Sequence, residues 1–325
     1  MKGNRFAAVA FLGGMATILA AAPLFAQSYP NKPVRIITAG AGNFHDILTR
    51  LVARELTERW GQPIVVENRP GAGLTIAAGI AARSTPDGYT LLMGDKTCLA
   101  SAPWLFKKLS YDPVRDLAPI TLVATMPLIL VAHPSVPASD MKEFVNYVKG
   151  KPSAFLYGVS FSGTAGHIAG ELFSHYAGVN MTAVNYKGGN AVSTAVVAGE
   201  VKAGFTTLTT ALPHIAVNRL KGYAITSRTR FVGAPQIPTM EEAGLPRFDS
   251  QQWLGILAPA GTNTALIDRL NRDFTDVIRM PAVRKAFNAN GTNPAAGSPA
   301  DFAAFIRGES VTVRKAIELS GIKPR

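Results

Sequence analysis

Two glycine-rich segments carry the side chains best suited to holding an anion. They read Thr38-Ala-Gly-Ala-Gly-Asn-Phe-His-Asp46 and Tyr157-Gly-Val-Ser-Phe-Ser-Gly-Thr-Ala-Gly-His167. Each follows an apolar strand-like run and opens a helical stretch, where free N–H groups and the helix dipole favour a negative charge. Both turns are therefore predicted to bind a small anion. The alternative for each is a plain turn in which Asn, Asp, Ser or Thr caps the helix.

The predicted ligand residues in these turns are loop amides and their polar or aromatic neighbours: Gly40, Ala41, Gly42, Asn43, Phe44, His45 and Asp46, and then Ser160, Phe161, Ser162, Gly163, Thr164, Ala165 and His167. Amides and hydroxyls suit a carboxylate. Two catalytic or cofactor motifs are excluded. His45 stands where a dinucleotide-binding fingerprint needs its third glycine, and Ser162 stands where a hydrolase nucleophile elbow needs glycine.

Other reactive side chains give no catalytic or metal motif. His167, Glu171 and His175 recur four residues apart, which is not the spacing of a zinc-binding His-Glu-x-x-His helix. No cofactor, metal ligand or catalytic residue is predicted, although groups distant in sequence can meet in space. Lys96, followed by Thr97, is expected either to bind a ligand carboxylate or to form an exposed ion pair with Asp95 or another acid.

The elements that must position these turns alternate β-branched runs with longer helical stretches. Strands are predicted at 34–37, 64–66, 89–93, 155–159, 182–185, 203–205 and 223–226, and helices at 46–60, 75–83, 164–176, 190–198, 210–219, 263–279, 281–288 and 299–319. This alternation predicts an α/β protein with parallel sheets covered by helices. In the first helix, Ile47, Leu51 and Leu56 are expected to face the core.

The first 26 residues have the order of a secretory signal peptide. Lys2 and Arg5 precede an uncharged stretch at 6–25, and Ala26 precedes the polar Gln27. We expect cleavage after Ala26 and a periplasmic mature chain. The alternative is an uncleaved membrane anchor.

Composition limits the partners. The formal charge of +12 falls by two to +10 without Lys2 and Arg5, and the basic residues are scattered rather than clustered. Export and the absence of a basic run argue against nucleic acid, whereas a small anionic ligand suits the charge. The single cysteine, Cys98, excludes an internal disulfide and is expected to be a partly buried structural residue. A monomer is expected.

The length left after the signal peptide, about 300 residues, is comfortable for two lobes. No long linker separates them, so the chain is expected to cross between lobes twice, near 122–126 and near 251–254. This predicts one discontinuous lobe from 27–125 and 251–325, and a second lobe from 126–250. The two glycine-rich turns would then face each other across a cleft.

A series of short motifs along the whole chain allows a comparison with a known family. In chain order they are Tyr29-Pro30-Asn-Lys-Pro33, Val65-Val-Glu-Asn-Arg-Pro-Gly-Ala-Gly73, Pro86-Asp-Gly-Tyr-Thr-Leu-Leu92, Leu109-Ser-Tyr-Asp-Pro113, His167-Ile-Ala-Gly-Glu-Leu-Phe173, Asn185-Tyr-Lys-Gly-Gly189, Ala211-Leu-Pro-His214, Pro238-Thr-Met-Glu-Glu-Ala-Gly-Leu-Pro246 and Trp253-Leu-Gly-Ile-Leu-Ala-Pro-Ala-Gly261. With this order and spacing, the chain resembles the Bug family, the TctC-like substrate-binding receptors of tripartite tricarboxylate transporters.

The resemblance implies a type II periplasmic-binding fold, in which two α/β lobes joined by two crossovers hold a carboxylate in the cleft between them. It implies a non-enzymatic receptor that delivers its ligand to membrane transporter subunits. A sensor feeding a signalling receptor and an exported α/β enzyme remain the alternatives. The two glycine-rich turns are similar to the ligand loops of such receptors. Tyr186, which falls in a further family motif, and Thr206 and Thr207 are the remaining predicted ligand residues.

Departures from the family pattern concern the ligand. The first loop of the family reads Pro-Phe-Pro-x-Gly-Gly-x-x-Asp, whereas this chain has Thr38 and Gly40 for the prolines, Asn43 for the second glycine, and Phe44-His45 at small positions. The family's Phe-Asp-Asn is Phe205-Thr206-Thr207 here. Loss of that acid favours a more anionic ligand, and Phe44 favours a flatter one, so aromatic acids and dicarboxylates are the narrower expectation.

Overall fold

The computed structural model describes residues 29–151, 153–246 and 248–320, so the predicted signal peptide lies outside the described residues. The strands there are β1 (Val34–Thr38), β2 (Ile64–Asn68), β3 (Thr90–Asp95), β4 (Leu117–Met126), β5 (Leu128–Ala132), β6 (Phe155–Val159), β7 (Met181–Asn185), β8 (Ala203–Thr207), β9 (Lys221–Ile225), β10 (Gln252–Pro259) and β11 (Asn293–Pro294).

The helices are α1 (Phe44–Trp60), α2 (Thr75–Ala82), α3 (Ala102–Leu105), α4 (Met141–Lys149), α5 (Ala165–Ala177), α6 (Gly189–Ala198), α7 (Leu208–Ala216), α8 (Thr264–Arg279), α9 (Pro281–Ala289) and α10 (Pro299–Ser320). A 3₁₀ turn precedes α2 and a π-helical turn precedes α3. Within the described residues, no helix has the length and apolar character needed to cross a membrane.

Two sheets divide the strands. The first has the order β11-β4-β10-β3-β1-β2 and the second has the order β7-β6-β8-β5-β9. The chain leaves the first sheet after Met126, enters the second at Leu128, and returns between Ile225 and Gln252. The first passage follows directly after the expected stretch at 122–126, and the second begins well before the expected 251–254 and ends within it. The architecture confirms the predicted two-lobed α/β class.

The sheets are mixed rather than purely parallel, which corrects the expectation from strand–helix alternation. β1 pairs in parallel with β2 and β3, but β10 runs antiparallel to both β3 and β4. In the second sheet β6 pairs in parallel with β7 and β8, whereas β5 is antiparallel to β8 and β9. Of the strands that run opposite to both of their neighbours, β5 and β10 are each the first strand after a crossover.

Helix α1 shows how the core selects one face. Ile47 is 38 % exposed, whereas Leu48, Val52 and Leu56 are fully buried against the first sheet. The predicted core stripe through Ile47 was therefore wrong by one position, because neighbouring residues lie about 100° apart around a helix. Leu51 is partly buried against the same cluster, and only Leu56 of the three was placed correctly in the core.

Helix α10 joins the two lobes. It packs against β4 and the π-helical turn of the first lobe and against α5 of the second. Its Phe302, Ile306 and Val313 belong to one buried cluster that also contains Leu92 of the first sheet and Tyr157 of the second. A continuous apolar core therefore runs beneath the junction between lobes, and the residue limits of each lobe stay a prediction.

Candidate functional site

The first glycine-rich turn follows β1 and is closed by a side-chain cap on α1. The Asn43 side chain accepts a hydrogen bond from the backbone N–H of Asp46 at 3.1 Å. The capping alternative is thus correct for this residue, and the cap bond does not use the N–H groups of Ala41, Asn43 and Phe44. Ala41, Gly42 and Asn43 are exposed, while Gly40 and Phe44 are half-buried.

The Asp46 carboxylate is surrounded by hydrogen-bond donors of the protein itself. It accepts from the Gly42 N–H, from Arg50 Nε and from Asn68 Nδ2, each at 2.9 Å. Burial raises the pKa of Asp46, but the hydrogen bonds from Arg50, Gly42 and Asn68 outweigh it and leave the pKa below its ordinary value. The charged carboxylate therefore holds the shape of the turn.

His45 lies beneath this turn, in contact with a buried acid. Its Nε2 is 3.0 Å from Oδ2 of Asp95, and both side chains are nearly inaccessible. Asp95 also accepts from Gln252 Nε2 and from the backbone N–H of Cys98, each at 3.0 Å. Burial raises the pKa of Asp95, and the contacts with His45 and Cys98 lower it to below its ordinary value. This network ties the first turn to Gln252, the first residue after the return crossover.

His45 has one buried ring nitrogen and one ring contact at the first turn. Nδ1 of His45 is buried and has no hydrogen-bond partner in the described part of the chain. The Phe44 ring lies over the His45 ring, with their centroids 3.9 Å apart. The unusual Phe-His pair thus forms one packed unit at the N-terminus of α1.

Lys96 is not in the exposed ion pair that the sequence suggested. Its side chain is completely buried, and Nζ contacts Oε2 of Glu309 at 2.9 Å and the backbone carbonyl of Gln251 at 3.3 Å. Glu309 also accepts from Trp253 Nε1 at 2.8 Å. The expectation of an exposed pair was wrong because α10 covers this strand end. Since a protein carboxylate already neutralises Lys96, we leave it out of the proposed ligand contacts, together with the buried Thr97.

The second glycine-rich turn follows β6 and opens α5. The N–H of Gly163 donates to Nδ1 of His167 at 2.9 Å, and Thr164 Oγ1 donates to the carbonyl of Phe161 at 2.7 Å. Ser160 Oγ donates to Thr164 Oγ1 at 3.2 Å. The alternative in which Ser162 or Thr164 caps α5 is not observed, because Thr164 occupies the cap position without a side-chain cap bond. Ala165 is buried and Phe161 is 53 % exposed.

The neighbouring strand ends of the second lobe add hydroxyl groups. Thr206 Oγ1 lies 2.9 Å from both Ser193 Oγ and Thr210 Oγ1, and Thr207 Oγ1 lies 3.0 Å from Thr210 Oγ1. This hydroxyl cluster occupies the position where the family pattern has an acid. Tyr186 instead points its hydroxyl to Glu200, at 3.4 Å.

These turns bring several helix N-termini to the carboxyl ends of parallel strands. α5 follows β6 and α6 follows β7, while α7 follows β8, which pairs with β6. An α-helix leaves its first N–H groups without intrahelical partners, and the dipole gives that end a partial positive charge. α1 supplies the same kind of end in the first lobe. In the first lobe, the carboxylates of Asp46 and Asp95 are both engaged by other groups of the protein.

Contacts between the lobes flank these helix ends. A Cβ at Gly163, whose φ is +82°, would overlap the Leu105 side chain of the first lobe. A Cβ at Gly291, in the first lobe, would lie 2.7 Å from Cγ2 of Thr209 at the start of α7. The second turn and the hydroxyl cluster therefore both lie where the lobes meet.

Sequence reasoning missed several supporting residues. Asn68 holds the first turn by donating to the Ala39 carbonyl at 2.7 Å and to Asp46, and Ser193 belongs to the hydroxyl cluster. The segment 71–74 follows β2 with four consecutive positive φ angles, including Ala72 at 46° and Leu74 at 68°. Gly71 and Gly73 were the visible signal for this turn. Within the described residues, no group of His, Cys, Asp or Glu is arranged to hold a metal ion.

Two α/β lobes joined by two crossovers, with helix N-termini at their junction, define a two-lobed solute-binding protein. The chain belongs to the TctC family, the tripartite tricarboxylate transporter family receptors, whose model matches residues 48–322. This confirms the resemblance seen in the sequence. The family consists of extracytoplasmic solute-binding receptors rather than enzymes.

Relatives support the same conclusion along nearly the whole chain. The protein BugT of Bordetella pertussis is 33 % identical over 297 residues, covering 91 % of each chain. The structure of Rpa4515 of R. palustris with adipate has a TM-score of 0.81 and 30 % identity, covering 91 % of this chain and all of that one. MatC (Rpa3494) of Rhodopseudomonas palustris with bound malate has a TM-score of 0.76 and 29 % identity, covering 89 % and 100 %.

Proposed function

We propose that this receptor binds a small dicarboxylate between its lobes, with one carboxylate at each lobe. The observation that carries the proposal is the set of helix N-termini that follow parallel strands: α1 after β1 in the first lobe, and α5, α6 and α7 after β6, β7 and β8 in the second. Each offers N–H groups that no helical carbonyl accepts, and such groups bind anions. The adipate and malate held by the two solved relatives are both dicarboxylates.

In the first lobe, the proposed contacts are the backbone amides of the exposed Ala41 and Asn43 and of the half-buried Phe44. The Gly42 N–H is excluded because Asp46 accepts it. We assign Asp46 a positioning role, since a second carboxylate pointing at the ligand would repel it. The Phe44 ring, fixed over His45, narrows this end of the cleft.

In the second lobe, the proposed contacts are Ser160, Ser162 and the amides at the start of α5. His167 acts through Gly163 rather than on the ligand, because its Nδ1 accepts the Gly163 N–H. The hydroxyls of Thr206 and Thr207 have replaced an acid of the family pattern, so this lobe tolerates a fully ionised second carboxylate. Tyr186 is not among the proposed contacts, since its hydroxyl contacts Glu200 and its backbone N–H donates to the Val159 carbonyl at 2.8 Å.

The proposal also covers the processing, location and partner of the receptor in the cell. The mature chain begins after Ala26, resides in the periplasm as a monomer, catalyses no reaction on its ligand, and delivers it to membrane transporter subunits. Closure of the lobes about the crossovers at 126–128 and 225–252 would enclose the ligand.

A paired-ligand binding experiment tests this function. Residues 27–325 would be titrated calorimetrically with malate, adipate, citrate and benzoate, and with succinate against its neutral analogue succinamide. We expect a dicarboxylate to bind and to raise the melting temperature, since it binds only the folded state. Succinamide should do neither. Binding of succinamide as tight as that of succinate would exclude recognition of carboxylates, and conversion of the bound acid to a product would exclude a pure receptor.

A further inference from the structure

A second concave surface lies away from the glycine-rich turns. We call it the basic groove, and define it by Trp104, Val114, Arg115, Arg307, Val311 and Arg314. It has a volume of about 760 Å³ and runs between the segment 103–116 and one face of α10. None of the residues proposed to bind the ligand lines it. The family motif at 109–113, which the ligand site does not use, forms part of its wall.

The floor of the basic groove is built by contacts between α3 and α10. Trp104 Nε1 donates to Ser310 Oγ at 3.0 Å, and the Arg314 guanidinium lies 5.0 Å from the centroid of the Trp104 ring. Beside this joint, Val114 and Val311 are 67 % and 69 % exposed. Large exposed apolar side chains grouped around a concavity are typical of a surface that binds another chain.

The charge that the basic groove presents is positive. Asp116 accepts from the Asp112 N–H at 2.7 Å, and Asp112 accepts from the backbone N–H groups of Val114 and Arg115 at 2.9 and 3.1 Å and from Arg115 Nε at 2.9 Å. Arg314 is paired with Glu318 at 2.7 Å. The excess positive charge therefore comes from the exposed Arg307, with the exposed Lys107 and Lys108 close by in sequence. An acidic partner is therefore favoured over a basic one.

The basic groove is also connected to the ligand site. Leu105, next to Trp104, meets Gly163 of the second turn, so α3 contacts both surfaces. α10, the other wall, packs against α5, which begins at that turn. Movement of the second lobe relative to α3 and α10 would thus reach the groove, which suits a surface that distinguishes open from closed receptor.

We propose that the basic groove binds an acidic, apolar-containing extracytoplasmic segment of the transporter's membrane component. This rests on the proposed transport function. A second copy of the mature chain is disfavoured as the occupant, because its formal charge of +10, which is +12 less Lys2 and Arg5, would repel a positive surface.

The test separates docking from ligand binding. Val311→Glu and Arg314→Glu place negative charge in the groove. Their matched controls are Val232→Glu, at a valine 75 % exposed on the second lobe, and Arg228→Glu, which like Arg314 is an exposed arginine in an ion pair. Each variant replaces the wild-type gene in cells that import the identified ligand. Uptake is measured with radiolabelled ligand, and affinity is measured by calorimetry on the purified full-length mature protein.

We expect both groove variants to lower uptake roughly tenfold or more, as central interface residues do, with unchanged affinity and melting temperature. Both controls should import like wild type. Normal uptake by the groove variants, an equal loss in the controls, or uptake that does not depend on this gene would each overturn the docking proposal. Failure of the wild-type protein to bind any dicarboxylate would instead contradict the proposed function. The failure of the docking proposal and the failure of the proposed function are therefore distinguishable.

Discussion

The backbone N–H of Gly163 donates a hydrogen bond to Nδ1 of His167 at 2.9 Å. A ring nitrogen that accepts a hydrogen bond carries no proton, so the neutral ring has its proton on Nε2. That atom faces Glu171 Oε1 at 3.4 Å, and the same oxygen accepts from Tyr157 at 2.9 Å. His167 is therefore a positioning residue that fixes the second turn from below.

Replacement of His167 tests this role through the shape of the acceptor. His167→Leu leaves the buried Gly163 N–H unsatisfied, which costs about 1–3 kcal/mol of unfolding free energy. Ligand affinity should fall as well, because the turn loses its fixed shape. His167→Asn places an amide oxygen near the position of Nδ1 and should recover part of both losses. Calorimetric titration and urea unfolding measure them. Equal affinity in all three proteins would show that the hydrogen bond has no effect on the site.

Asp46 predicts a specific dependence of stability on pH. In Asp46→Asn, an amide NH₂ replaces a carboxylate oxygen whose neighbours are all hydrogen-bond donors. We therefore expect the free energy of unfolding to fall by about 1–3 kcal/mol at neutral pH. The folded pKa of Asp46 lies below the ordinary value of 3.8. Its stabilisation is therefore fully present above that value and is lost as pH falls through the folded pKa.

The difference in stability between wild type and Asp46→Asn should therefore be largest near neutral pH and should close as the pH falls below 3.8 and through the lower folded pKa of Asp46. Unfolding in urea from pH 7 to pH 2.5 measures it. Asp268→Asn, at an exposed aspartate, is the control and should match wild type throughout. A gap for Asp46→Asn that stays constant across this range would contradict the assigned role.

The close approach of Gly163 to Leu105 leads us to expect that contact between the lobes controls the affinity for the ligand. Gly163→Ala adds a methyl group that overlaps Leu105, on a backbone with a φ of +82°. Gly178→Ala has a φ of +61° and open space around its Cβ, so it isolates the backbone cost, about 1 kcal/mol. We expect only Gly163→Ala to weaken ligand binding. Leu105→Ala in the same protein should restore affinity by removing the overlap, and failure to restore it would indicate that the backbone alone is responsible.

Breaking the buried ion pair of Lys96 and Glu309 should lower the free energy of unfolding strongly, and replacing the remaining charged partner by a neutral residue should restore most of it. Lys96→Met leaves Glu309 charged without its cation, at a cost of about 3–5 kcal/mol. Glu309→Gln in the same chain removes the charge but keeps an oxygen for Trp253 Nε1, so most of the loss should be recovered. Arg228→Met, in the exposed pair with Asp249, should cost less than about 1 kcal/mol. Thermal and urea unfolding test all three, and a small effect of Lys96→Met would show that water reaches this pair.

The strands and helices could be predicted where their pattern was local. β6 occupies the predicted residues, and α9 begins at Pro281 as expected for a proline at the first helical position. β5, in contrast, was not predicted as a strand. All five of its residues are buried, so it lacks the alternation that identifies a half-exposed strand.

The sequence identified the glycine-rich turns, but not which of their residues hold the turn and which remain for a ligand. Whether Asp46 binds a ligand or holds the turn depends on Arg50 and Asn68, and the surroundings of Lys96 depend on Glu309, far away in the sequence. No local pattern records such pairs. The type of residue indicated the chemistry, whereas only the fold determined which groups remain for a ligand.

Cys98 has a practical consequence. Its thiol is fully buried, and desolvation raises its pKa well above the ordinary value, so it should be inert to alkylating reagents. Since the sequence contains no other cysteine, a thiol introduced at the exposed Phe161 could be labelled selectively with an environment-sensitive dye. The native chain thus needs no further substitution to become an optical reporter of its own ligand.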